Sequence, residues 1–155
     1  MGLEGFDALW VLNEPVTEEA DFSKFTSGGL VVISAIDSFA GRAMMARLAQ
    51  RAYASLFIDT RTDGTVVTTV SVLPGHIEAY LATLEDDESA PEPACGMEGT
   101  AFAGMYHAVQ VTSVINRVFR GLPVPYKTVH DVGLDVRLHT EFAQPVVEEV
   151  AVPVS

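Results

Sequence analysis

Leu30-Val31-Val32-Ile33-Ser34-Ala35-Ile36-Asp37-Ser38-Phe39-Ala40-Gly41-Arg42 is the stretch on which the fold turns. Gly28-Gly29 introduces it, and Leu30 to Ser34 is a continuous, β-branched run of the kind found in parallel sheets covered on both faces. Asp37-Ser38 follows the strand with two residues suited to capping a helix. From Phe39 to Ala52 the period becomes helical. Met44, Leu48 and Ala52 fall four apart on one face, and Arg42, Arg47 and Arg51 lie off it. Ser55-Leu56-Phe57-Ile58-Asp59 is the next strand. Strand, helix and strand in this order imply a right-handed crossover and a parallel pair.

Downstream the pattern changes. Asp63-Gly64 is a strong hairpin turn and Thr65 to Leu73 is rich in Val and Thr, so Ile58 to Leu73 is expected to include an antiparallel hairpin. Pro74-Gly75 precedes a short helix over His76 to Leu84, and Glu85 to Pro93 is an acidic, proline-bearing loop. The longest helix is expected from Thr100 to Arg120. Its predicted apolar stripe is Met105, Ala108, Val111 or Thr112, Ile115 and Phe119, with Ala101, Gly104 and Ala108 forming a strip of small residues. Arg117 and Arg120 suit the negative end of that helix, and Gly121 its C′ position. Two short strands are expected after the Leu122-Pro123-Val124-Pro125 turn, over Lys127 to Asp131 and Leu134 to His139. Upstream, Ala8-Leu9-Trp10-Val11-Leu12 reads as a buried strand ended by Asn13-Glu14-Pro15. The fold class is therefore α/β: a parallel βαβ unit, an antiparallel hairpin and a long C-terminal helix. It occupies a single domain over residues 1–142, followed by a Val-rich tail over 143–155 that is either an added strand or a partner-binding extension.

Composition narrows the function. A chain of 155 residues with 48% hydrophobic residues holds one core and is globular. Its 21 Asp and Glu against 9 Lys and Arg give a net charge of −12, which repels nucleic acid and anionic membranes. The same field opposes free ATP, so a nucleotide pocket needs locally supplied N–H groups, cations or metal. Such charge also keeps a protein soluble. No signal peptide and no membrane-length apolar run is visible, and a reducing cytoplasm is the expected compartment. Cys95 is the single cysteine, which excludes an internal disulfide and a cysteine zinc cluster. His76, His107, His130 and His139 lack metal-ligand spacing, and no Gly-x-Ser-x-Gly elbow surrounds Ser34 or Ser38.

The segment from Leu30 to Arg42 resembles a hallmark of the ThiF/MoeB/HesA proteins of the ubiquitin-activating superfamily, in which a hydrophobic strand ends in an Asp followed within a turn or so by an Arg. The resemblance runs from Val31 to about Thr140. It implies a partial Rossmann-like sheet in which Asp37, with Arg42 nearby, helps hold Mg-ATP. ATP would adenylate the C-terminal carboxylate of a ubiquitin-like or sulfur-carrier protein. The carboxyl end of a strand in an open α/β sheet suits that role, because ligands bind there and a carboxylate can ligate Mg²⁺. On the residues alone, Asp37 caps the helix and Arg42 pairs with a nearby acid. A second match is Pro93-Ala94-Cys95-Gly96-Met97-Glu98-Gly99-Thr100, where some relatives carry a Cys that accepts the activated carrier. A nearby helix N-terminus lowers a thiol pKa, whereas Glu85, Asp86, Asp87, Glu88, Glu92 and Glu98 raise it, so Cys95 is either the carrier acceptor or a structural thiol. Arg120 to Tyr126 and the strands after it resemble the close of the family's domain.

The family's N-terminal Gly-x-Gly-x-x-Gly turn is not matched: the glycines before Leu30 are Gly2, Gly5, Gly28 and Gly29. Its paired zinc cysteines are also missing. One expectation follows, a split adenylating enzyme whose second chain completes the nucleotide-binding sheet. An exposed first strand of this kind is usually covered by another chain, so an oligomer is expected. The other readings are a non-catalytic, degenerate scaffold or structural subunit of a larger assembly, and an incomplete stretch of a longer chain.

Overall fold

The computed structural model describes residues 15–22, 29–84 and 100–140. Strand β1 (Val31–Ser34) leads through helix α1 (Phe39–Arg51) into strand β2 (Leu56–Asp63), which pairs with β1 in parallel, Val31 opposite Leu56 and Ser34 opposite Asp59. Strand β3 (Val66–Val72) returns antiparallel to β2 across the Gly64-Thr65 turn. Helices α2 (Ile77–Leu81) and α3 (Thr100–Phe119) follow, then strands β4 (Lys127–Asp131) and β5 (Val136–Thr140). The result is a five-stranded mixed sheet in the order β1-β2-β3-β4-β5, in which only β1 and β2 run parallel.

The helices divide between the two faces. Phe57, Val70 and Val72 meet Met45, Leu48 and Ala49 of α1 and Ile77 and Tyr80 of α2 on one side. Leu56 and Ile58 pack against Val114 of α3 on the other. Strand β2 opens on an apolar run that is covered on both faces, which is why Leu56, Phe57 and Ile58 are all at most 1% exposed. Among the described residues no helix is long and apolar enough to cross a membrane.

Three details depart from the expected elements. Strand β2 extends to Asp63, four residues beyond Asp59, because pairing with β3 continues after the parallel ladder ends. Strand β5 starts at Val136 rather than Leu134, because the Asp131 carboxylate accepts the Gly133 and Leu134 N–H groups and holds them in a turn. The third concerns α3, whose buried face is Ala103, Gln110 and Val114, with Tyr106, His107, Val111, Ile115 and Val118 half-buried. Met105 and Phe119 of the predicted stripe are instead 70% and 73% exposed. Apolar residues surround this helix, so periodicity does not select a face. The sheet on this side presents polar partners: Thr62 lies 2.9 Å from the His107 ring, His130 meets Tyr106 edge-on, and Arg137 donates to Gln110. The Ala8–Leu12 strand, Cys95 and the tail lie outside the described residues.

The turn into α1 is tightly built. Ser38 is the N-cap, and its hydroxyl accepts the Gly41 N–H at 3.1 Å. A Cβ on Gly41 would sit 2.7 Å from Ile36 Cγ2 and 2.8 Å from Ser38 Oγ. Gly→Ala inside a helix ordinarily stabilises by roughly 0.5–1 kcal/mol. Here Gly41→Ala is expected to destabilise by about 1 kcal/mol, because the cap must be displaced. Urea unfolding of the two proteins measures the sign, and a more stable alanine variant would contradict the packing described.

Candidate functional site

The parallel β1–β2 pair ends at Ser34 and Asp59, and among the described residues buried Asp59 and Arg42 meet there. Asp59 is fully buried and is the last residue of the parallel register. Arg42, one turn into α1 and 6% exposed, donates from Nη1 to Asp59 Oδ1 at 2.5 Å and to the Thr60 carbonyl at 3.0 Å. Arg61 lies two residues along β2, on the same face, and its Nε donates to Asp59 Oδ2 at 2.7 Å. The Tyr80 hydroxyl from α2 donates to the same oxygen at 2.9 Å. One carboxylate therefore gathers three donors from α1, β2 and α2.

Two cations share one anion, so the cluster carries a net positive charge inside a strongly acidic chain. Burial opposes the Arg61 charge, but the Asp59 carboxylate outweighs it and holds Arg61 above its ordinary value. Burial first, and then the Asp59 charge, push the Tyr80 phenol above its ordinary value, so it stays a donor. The Arg61 guanidinium also lies over the Phe39 ring at 5.7 Å and near the Tyr80 ring at 6.0 Å. Ser34 Oγ and Arg42 Nε are buried in this region without a hydrogen-bond partner among the described residues.

Asp37 lies in the bend between β1 and α1 and is exposed. The cap itself is Ser38, which leaves the Asp37 carboxylate at the carboxyl edge of the parallel pair and next to the α1 N-terminus. Arg42 does not extend toward Asp37: its guanidinium is turned inward to Asp59. The acid that pairs with Arg42 is seventeen residues away in sequence. Asp59, Arg61 and Tyr80 belong to no sequence motif. The available signal was the pair Asp59 and Arg61 on one face of a strand that begins with a fully apolar run.

A second polar group lies under α3. Thr69 Oγ1, His107 Nδ1 and both ring nitrogens of His130 are buried without hydrogen-bond geometry to a partner among the described residues. The other His107 nitrogen is 2.9 Å from Thr62 Oγ1, and Tyr106 meets the His130 ring edge-on at 4.1 Å. Burial lowers the His107 pKa, outweighing the Arg61 backbone and the Asp59 charge, while the Arg42 charge lowers it further. A histidine with a lowered folded-state pKa contributes stability that is present above its unfolded value, about 6.5, and is lost as pH falls through the folded value. Stability is therefore expected to fall between neutral pH and pH 5. The His107→Gln variant should show a shallower fall in urea midpoints over that range, and parallel curves would remove His107 from the account.

Comparison of the sequence with family models and with curated proteins finds no match to either.

Proposed function

We propose that this chain is the C-terminal half of a ThiF/MoeB-like adenylation domain, acting in an ATP-dependent assembly that activates the C-terminus of a ubiquitin-like or sulfur-carrier protein. The observation that carries this reading is the parallel β1–α1–β2 unit with an exposed Asp37 at its carboxyl edge, beside the N-terminus of α1. Ligands of open α/β sheets bind at that edge. Among the described residues no three His, Cys, Asp or Glu assemble to hold a metal alone. Mg²⁺ would arrive with its nucleotide, since this ion is commonly held by one or two carboxylates together with substrate phosphates. Asp37 would supply the carboxylate. Arg42 would act through Asp59, fixing the first turn of α1 against β2, rather than by reaching the phosphates.

The glycine turn that cradles phosphates in such domains would come from a second chain. Strand β1 is the sheet edge among the described residues and Ile33 on it is 45% exposed, so a further strand has a place to pair. Cys95 stands as the candidate carrier acceptor on the resemblance alone.

A second reading, a non-catalytic scaffold with the same fold, draws on one observation: both guanidiniums near the edge are already bound to Asp59. Native mass spectrometry of the complex isolated from its source, with and without Mg-ATP, separates the two. A heteromer that gains nucleotide mass supports the adenylating assembly. A complex that ignores Mg-ATP overturns it in favour of the scaffold.

A further inference from the structure

Helix α3 is apolar on two faces, one of which packs Val114 against Leu56 and Ile58 of the sheet. It places Gln110 and His107 toward the sheet and leaves Phe102, Met105, Val109 and Phe119 exposed at 71%, 70%, 61% and 73%. These four follow a spacing of three, four and ten residues, so they form one stripe along a twenty-residue helix, with Thr112 and Asn116 completing the row. A monomer seldom leaves a stripe of this size in water.

The charge distribution narrows what can cover it. Between Gly99 and His130 the chain has no Asp or Glu, although it carries 21 of them in all, and its only cations there are Arg117, Arg120 and Lys127. The outward face of α3 from Phe102 to Asn116 carries no charge at all. Arg117 and Arg120 sit at the C-terminal end of α3.

We infer that the exposed stripe of α3 is the interface of a two-fold homodimer in which the two α3 helices pack antiparallel. An isologous contact needs a self-complementary surface, and an uncharged stripe is one. The rest of the molecule is strongly acidic, so this neutral face is where a second copy meets least repulsion. Antiparallel packing opposes the two helix dipoles. It also keeps Arg117 and Arg120 of the two copies at opposite ends of the contact, so these like charges do not face each other. The area is sufficient. Phenylalanine buries about 150–250 Å² when covered, and four rings that are now largely exposed, with Met105 and Val109 from both copies, approach the roughly 1,000 Å² of a specific interface. This interface lies on α3 and does not depend on the proposed nucleotide chemistry at the β1 edge.

Sedimentation velocity on the full chain at micromolar concentration tests it, together with two variants. Val109→Glu sets two like charges near the two-fold axis and is expected to weaken the dimer on the order of 100-fold. Val109 is exposed in the single chain, so the variant should keep the wild-type circular dichroism and melting temperature at the same low concentration. In a Cys95→Ser background, Thr112→Cys is expected to form an intermolecular disulfide on mild oxidation. A wild-type monomer overturns the inference, as does a dimer that Val109→Glu leaves intact, or a Thr112→Cys protein that does not cross-link.

Discussion

Asp59→Ala is expected to lower the unfolding free energy by about 3–5 kcal/mol, the loss that follows when one partner of a buried ion pair is removed. Arg42 is 6% exposed and would keep its charge with no anion against it, while Arg61 and the Tyr80 hydroxyl lose the same acceptor. Domains of this size have roughly 5–15 kcal/mol in total, so the alanine variant can fall close to unfolding at room temperature. Tyr80→Phe provides the milder measurement. It deletes a 2.9 Å hydrogen bond to a carboxylate without changing the ring packed edge-on against Phe57, and about 1.5–3 kcal/mol is expected. Guanidinium unfolding gives both values. A Tyr80→Phe variant as stable as the parent would mean that Asp59 is satisfied by the two arginines alone. An Asp59→Ala variant within about 1 kcal/mol of the parent would show that α1 and α2 do not depend on this carboxylate.

The opposite pattern is expected at Asp37. Its side chain is exposed and the cap is made by Ser38, so Asp37→Ala should change stability by no more than about 0.5 kcal/mol, as surface substitutions usually do. Its proposed role as the carboxylate for Mg-ATP predicts a large loss in chemistry. Removing a group that stabilises charge in a preorganised site commonly lowers rate by about 100-fold or more. In an assembly reconstituted with the second chain that the proposed function requires, Asp37→Ala should therefore abolish ATP–pyrophosphate exchange while the melting curve stays in place. Unchanged exchange would remove Asp37 from the site. A large drop in melting temperature would mean that Asp37 helps hold the β1–α1 turn after all.

The two positions differ in how far sequence could reveal them. Asp37 was legible because its context is local: a β-branched strand, a capping pair and a helical period within a dozen residues. The same local rules place α1, the β2–β3 hairpin turn to within one residue of Gly64-Thr65, α3 and β4 close to their observed limits. Arg42 looked like a residue off the buried face of α1, and it is buried because Asp59, seventeen residues on, neutralises it. No one-dimensional pattern couples those two side chains. They meet only because β2 pairs with β1 in the register that sets Asp59 opposite Ser34, under the first turn of α1.

Helix α3 shows the same division. Its extent follows from an uninterrupted helical stretch closed by Gly121, whose φ of 61° suits glycine. Its orientation does not follow, because Phe102, Met105, Val109, Val111, Val114, Ile115, Val118 and Phe119 spread around the helix and offer several apolar faces of similar merit. The choice is made by the sheet beneath it. Thr62 of β2 lies 2.9 Å from the His107 ring, Arg137 of β5 donates to Gln110 Oε1 at 2.7 Å, and Phe102, Met105, Val109 and Phe119 are left outside. Element type and order are written in local periodicity, turn chemistry and capping, which act over a few residues. Which face is buried, which charges are neutralised and which surface is left for a partner depend on contacts between distant segments, and those exist only once the chain has folded.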